Sequence, residues 1–125
     1  MGKGSGRILY VMTHGTEAPE RCATPFYLAA AAAAMDKEVG IYFTMNGPTL
    51  LKKGVPESIG PKGDKGAKLS HFIKQALDVG VRLYVCQPSL DLHDLKLEDL
   101  IDGVEMIGGA AFNAIAVEAE AVITF

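Results

Sequence analysis

The sequence predicts an α/β fold: a three-layer sandwich with a five-stranded, mostly parallel sheet, helices on both faces, and the flavodoxin-like strand order 2-1-3-4-5. Two observations lead there. Five short runs with the residues of buried strands alternate with segments of helical composition, the pattern of βα units wound into one sheet. Those runs are apolar along most of their length instead of at every second residue, as strands covered on both faces are.

The first run, RILYVMT at 7–13, sits between Gly6 and the polar stretch HGTEAPE. Helix formers fill 19–35, where the six alanines of 29–34 make a helix slim enough to approach a neighbour closely, and Pro25 either kinks it or marks its true start. The second run is EVGIYFTM at 38–45, closed by the turn signal NGP. A long loop is expected over 49–66, where glycine, proline and charge interrupt any period. In AKLSHFIKQALDVG, residues Leu69, Phe72, Ile73, Ala76 and Leu77 fall on one helical face, and Gly80 stops the helix. The third run, VRLYVC at 81–86, ends on a cysteine. A short amphipathic helix is expected at 96–103, a fourth strand at 104–108, a helix at 109–120 and a last strand, AVITF, at 121–125.

Length and composition bound what such a fold can do. At 125 residues, 49% of them hydrophobic, the chain can bury one core, so a single domain is expected over 1–125 with a flexible N-terminus at 1–6. A net charge of -3 gives no electrostatic ground for nucleic acid or an anionic membrane as partner. PFYLAAAAAAM is too short and too rich in alanine to cross a bilayer, which takes roughly 20 strongly apolar residues. MGKGSGR lacks the apolar centre of a signal peptide and the hydroxyl residue of a myristoylation site, so the expected location is the cytoplasm. In that compartment Cys22 and Cys86 are expected as free thiols. GKGSGR precedes a strand instead of following one, and no P-loop pattern occurs, so no cofactor is predicted.

In an open parallel sheet, ligands gather at the carboxyl ends of the strands where the strand order reverses. In the order 2-1-3-4-5 that point lies between strands one and three, so His14 and Cys86 flank the crevice. Asn46 after the second strand, and Gly108 and Gly109 after the fourth, are candidates for holding a small ligand. The glycines open a helix whose free N–H groups suit an anion, although close packing of strand on helix explains them equally well. Cys86, in VCQPSLDLHDL, is the candidate nucleophile: nearby helix N-termini lower a thiol pKa from about 8.5, whereas plain burial is the alternative that cysteine favours. His14, His93 and Cys22 are candidate modulators of that thiol. A Cys22–Cys86 disulfide would need Cα atoms within about 7 Å. His14, His71 and His93 match no metal-ligand spacing, so no metal site is predicted.

The opening ILYVMTHGTEAPERCATPFYLAAAAA, the strand VGIYFTMNG, the cysteine closing VRLYVC and the tail DLIDGVEMIGGAAFNAIAVEAEAVITF together resemble the DsrE/DsrF-like family of small sulfur-relay proteins, from Arg7 onward. The resemblance implies a compact α/β sandwich assembling as homotrimers or homohexamers. It also implies, at the position of Cys86, a cysteine that carries a persulfide between donor and acceptor proteins. The second cysteine or ACG that often follows in such proteins is replaced here by VCQPSLDLHDL.

The leading expectation is therefore a sulfurtransferase-like carrier relaying sulfane sulfur on Cys86. A different class of function is a non-catalytic binding or scaffold protein holding a small anion or nucleotide in the crevice. A third is a thiol oxidoreductase using Cys22 and Cys86 together.

Overall fold

The five apolar runs form β1 (Arg7–Met12), β2 (Glu38–Phe43), β3 (Arg82–Val85), β4 (Val104–Met106) and β5 (Ala121–Thr124). The computed structural model describes residues 6–125, so the expected flexible N-terminus lies, apart from Gly6, outside the described residues. Between the strands come α1 (Thr24–Ala34), α2 (Val55–Ser58), α3 (Leu69–Asp78), α4 (Gln87–Leu92) and α5 (Gly109–Glu118), with single 3-10 turns at Pro19–Arg21, Gly47–Leu51 and Leu97–Asp99. All neighbouring strands run parallel.

The strand order is β4-β3-β2-β1-β5, which corrects the expected 2-1-3-4-5. From β1 to β4 the chain steps one strand at a time in one direction, and right-handed crossovers then lay α1, α3 and α4 on one face. Only the β4–β5 connection runs back across the sheet, so α5 covers the other face. Both orders use the same elements and the same handedness, so the direction of each step is invisible in the sequence.

Side chains alternate across the sheet into two cores. Tyr10, Met12, Ile41, Phe43, Leu83 and Val85 point to the first face, beneath α1 and α3. Leu9, Val11, Tyr42, Tyr84 and Cys86 point to the second, against Phe112, Ile115 and Ala116 of α5. Small side chains bring α1 down onto the sheet: Ala29 and Ala32 are buried, and Phe26 meets Phe43 at 5.6 Å between ring centres. Pro25 lies in the first turn of α1, where its missing N–H removes no helical bond, so it marks the start and not a kink. On α3 the predicted stripe is buried at Leu69, Ile73 and Ala76, while Leu77 stays exposed.

Two local expectations are corrected. The loop at 49–66 contains the end of the Gly47–Leu51 turn and all of α2, whose Leu50, Leu51 and Pro56 are buried. The helix after β3 begins at Gln87, not at 96, with Pro88 tolerated in its first turn, and 97–99 is only a 3-10 turn. Among the described residues no helix is long and apolar enough to cross a membrane.

Candidate functional site

With this order, β3 and β4 are the adjacent strands whose onward connections leave on opposite faces. The switch point thus moves from the expected place between strands one and three to the carboxyl ends of β3 and β4. Cys86 stands at the end of β3, and Gly108 and Gly109 at the end of β4. These three line a cavity of about 490 Å³ together with Tyr42, Thr44 and Ser89. No charged side chain lines it among the described residues. A larger cavity, about 640 Å³, opens at the amino ends of β2 and β3 beside Arg82 and Glu105, and it contains no thiol.

Local structure explains why these groups meet. Cys86 is the N-cap of α4 with extended backbone, and Ser89, three residues on, leans back over the cap. Tyr42 and Thr44, two residues apart at the end of β2, point to the same side as Cys86 on the neighbouring strand. The Cys86 Sγ lies 3.0 Å from Ser89 Oγ and 3.6 Å from Thr44 Oγ1. Ser89 Oγ also accepts the Met45 N–H at 2.7 Å and stands 3.2 Å from Thr44 Oγ1. The ring of Tyr42 is held against Phe112 of α5, with centres 4.4 Å apart.

Burial pushes the Cys86 thiol up, since the side chain is only 9% exposed. Hydrogen bonding to the sulfur from Ser89, Tyr42 and Thr44, joined by the Ser89 peptide N–H, outweighs it and leaves the pKa below the ordinary thiol value. Tyr42 moves the other way, its phenol pushed up by burial, by its hydrogen bond to Cys86 and by the charge of the thiolate. A buried sulfur whose charged form is stabilised by hydrogen bonds, beside an open cavity, can attack an electrophilic sulfur and can leave again as thiolate.

Other expected residues sit elsewhere. His14 follows β1, two strands away from β3, and its Nδ1 is engaged by Thr13 Oγ1 at 3.3 Å. Thr13 in turn donates to the Phe125 carbonyl, so the ring belongs to the β1–β5 corner. His93 donates from Nε2 to the Met45 carbonyl at 2.9 Å, holding the backbone beside Thr44 and not the thiol itself. Asn46 accepts from the Thr49 hydroxyl through its carbonyl and does not line the Cys86 cavity. Cys22 is fully buried in the core of the first face, so the sheet separates it from Cys86, and both thiols are free. The two cysteines therefore do not form the single site that a dithiol oxidoreductase needs. Among the described residues no three of His, Cys, Asp and Glu converge as a metal would require.

Tyr42, Thr44 and Ser89 escaped sequence reading. A hydroxyl three residues after a strand-end cysteine was the one local signal for Ser89, while Tyr42 and Thr44 come from a strand more than 40 residues earlier.

The model of the DsrE/DsrF-like family matches residues 6–125. The chain is 28% identical over 134 aligned residues to the sulfur carrier protein DsrE2 of Allochromatium vinosum, covering 77% of this chain and 84% of that protein. It is 31% identical over 113 residues to the uncharacterized protein MJ0989 of Methanocaldococcus jannaschii, covering 88% of this chain and 94% of the relative. Among solved structures, the YchN protein of E. coli superposes with a TM-score of 0.78 at 19% identity, covering 95% of this chain and 98% of that one.

Proposed function

We propose, since the chain belongs to the DsrE/DsrF-like family, that it is a sulfur carrier in which Cys86 receives sulfane sulfur from a donor protein and passes it to an acceptor. The observation that carries this is the sulfur itself: Cys86 sits at the switch point, lines an open cavity, and is biased toward thiolate by hydroxyl groups. The similarity to a protein named as a sulfur carrier supports the same reading.

The chemistry asks little more of the chain. The Cys86 thiolate attacks the outer sulfur of a donor persulfide R–S–SH. The donor S–S bond breaks, R–S⁻ leaves with the electron pair, and Cys86–S–SH remains with the proton it arrived with. An acceptor thiolate then attacks the same outer sulfur, and Cys86 departs as thiolate. No oxidant or reductant is consumed, because the sulfane sulfur keeps its oxidation state.

Self-association belongs to the same proposal, as a homotrimer or homohexamer. α5 is apolar nearly all round, yet none of its residues is buried, nor any of β4 or β5. A helix of that composition ordinarily lies inside a protein or against a partner. Val117, 82% exposed, and Ile123 mark the uncovered surface.

The test is incubation with a protein persulfide followed by intact-mass measurement of wild type, Cys86→Ser and Cys22→Ser. A gain of one sulfur atom that reductant removes is expected in wild type and Cys22→Ser and not in Cys86→Ser. Loading that survives in Cys86→Ser would assign the sulfur to another group.

A further inference from the structure

We infer that Ser89 is a catalytic hydroxyl of the Cys86 site: its oxygen stays fixed while its proton swings between Thr44 and the sulfur as Cys86 gains and loses charge. The inference deepens the carrier function proposed above and rests on it for the transfer steps.

The hydrogen-bond inventory at Ser89 sets the argument. A serine hydroxyl has one proton to give and two lone pairs to fill. One lone pair is taken by the Met45 N–H at 2.7 Å, and this bond does not depend on the state of the sulfur. With Cys86 as neutral thiol, S–H donates to the second lone pair across 3.0 Å, and the Ser89 proton points to Thr44 Oγ1 at 3.2 Å. With Cys86 as thiolate, the sulfur has no proton to give. The Ser89 O–H turns to Sγ, which the Thr44 hydroxyl faces at 3.6 Å as a second donor. Both arrangements give the Ser89 proton an acceptor, and neither moves a heavy atom. Ser89 is 6% exposed, so little of its surface is open to water.

Transfer uses this exchange twice. When the thiolate attacks a donor persulfide, the charge on Sγ passes into the new S–S bond and out with the donor thiolate, and Ser89 turns back toward Thr44. When an acceptor thiolate attacks the outer sulfur, the Sγ–S bond breaks, the electron pair returns to Sγ, and Ser89 turns to meet it. The second step gains most, because a sulfur leaves faster the better its thiolate is stabilised.

The groups that face the sulfur from each neighbouring element are few. β2 contributes Tyr42 and Thr44, and β3 contributes Tyr84 two residues before Cys86 on the same face. On α4, Asp91 is engaged by Gln87 and His93 by the Met45 carbonyl. β4 carries Glu105 toward the other cavity, and Gly108 with the start of α5 brings no charged group. Hydroxyl groups therefore dominate the response of Cys86 to pH.

The test is the pH profile of Cys86 alkylation by iodoacetamide, read by peptide mass spectrometry, in wild type, Ser89→Ala and Thr44→Val. It is joined to the rate at which persulfide-loaded Cys86 discharges to dithiothreitol. Ser89→Ala should displace the profile to higher pH and slow discharge, because a thiol of higher pKa leaves more slowly. Because Ser89→Ala also strips the Met45 N–H of its acceptor, Thr44→Val supplies an independent arm: it leaves that bond intact and should displace the profile in the same direction. Profiles of both variants that coincide with wild type would overturn the role of Ser89. Displaced profiles in a protein that never loads sulfur would leave Ser89 as the group governing the thiol and overturn the carrier function alone.

Discussion

Cys22 and Cys86 are the same functional group in opposite surroundings. Cys22 is sealed in the apolar core beside Phe26, and burial pushes its thiol up, with its own backbone pulling slightly back and Glu20 adding to the rise. Cys86 is nearly as buried, but hydroxyl groups turn the balance the other way. Alkylation near neutral pH should therefore modify Cys86 before Cys22. Cys22→Ser should lower the urea midpoint by a destabilisation of about 1–3 kcal/mol, the cost of a hydroxyl in an apolar site, with no change in the alkylation rate of Cys86. A Cys22→Ser protein in which Cys86 became unreactive would mean that the two thiols act together. At this scale the candidate thiol was legible, because a cysteine closing a buried strand stands out in VRLYVC. Its hydroxyl partners were not, since Tyr42 and Thr44 become neighbours only through the β2–β3 register.

The strands were legible as elements because Val, Ile, Leu, Tyr and Phe fill them without a polar beat, and α3 because its apolar stripe repeats at helical spacing. α4 was not, because Pro88 directly after the cysteine reads as a break, whereas in a first helical turn proline costs nothing. Gly108 and Gly109 line the Cys86 cavity, His14 was assigned to the crevice on a strand order the chain does not adopt, and Asn46 follows β2 but does not line the cavity. The end of β2 is held to β1 at Gly47, where an added Cβ would strike the Met12 carbonyl oxygen and the Phe43 Cβ. Gly47→Ala should destabilise by about 1–3 kcal/mol, as overpacking does, measured from urea unfolding. An unchanged midpoint would mean that the β1 and β2 ends can part without cost, and the placement of Thr44 beside Cys86 would lose its rigid support.

For the whole molecule, the sequence carried the class and the parallel sheet with its two helical layers, but not the order. That order depends on which side of the growing sheet each crossover lands, a matter of competing packings and not of local residue type. The order also leaves α5 and the two edge strands, β4 and β5, at opposite ends of the sheet, without a buried residue. Sedimentation equilibrium should give a mass several times 13.3 kDa, and Val117→Glu combined with Ile123→Lys should reduce it to that of one chain. A wild-type protein that stays at one chain mass would contradict the assembly. The proposed carrier function rests on one atom, the Sγ of Cys86, so the most direct measurement is peptide mapping of the protein after loading from a protein persulfide. The expected result is one additional sulfur on the peptide containing Cys86, removed when an acceptor thiol is added. Sulfur found on the Cys22 peptide, or on none, would contradict the carrier role.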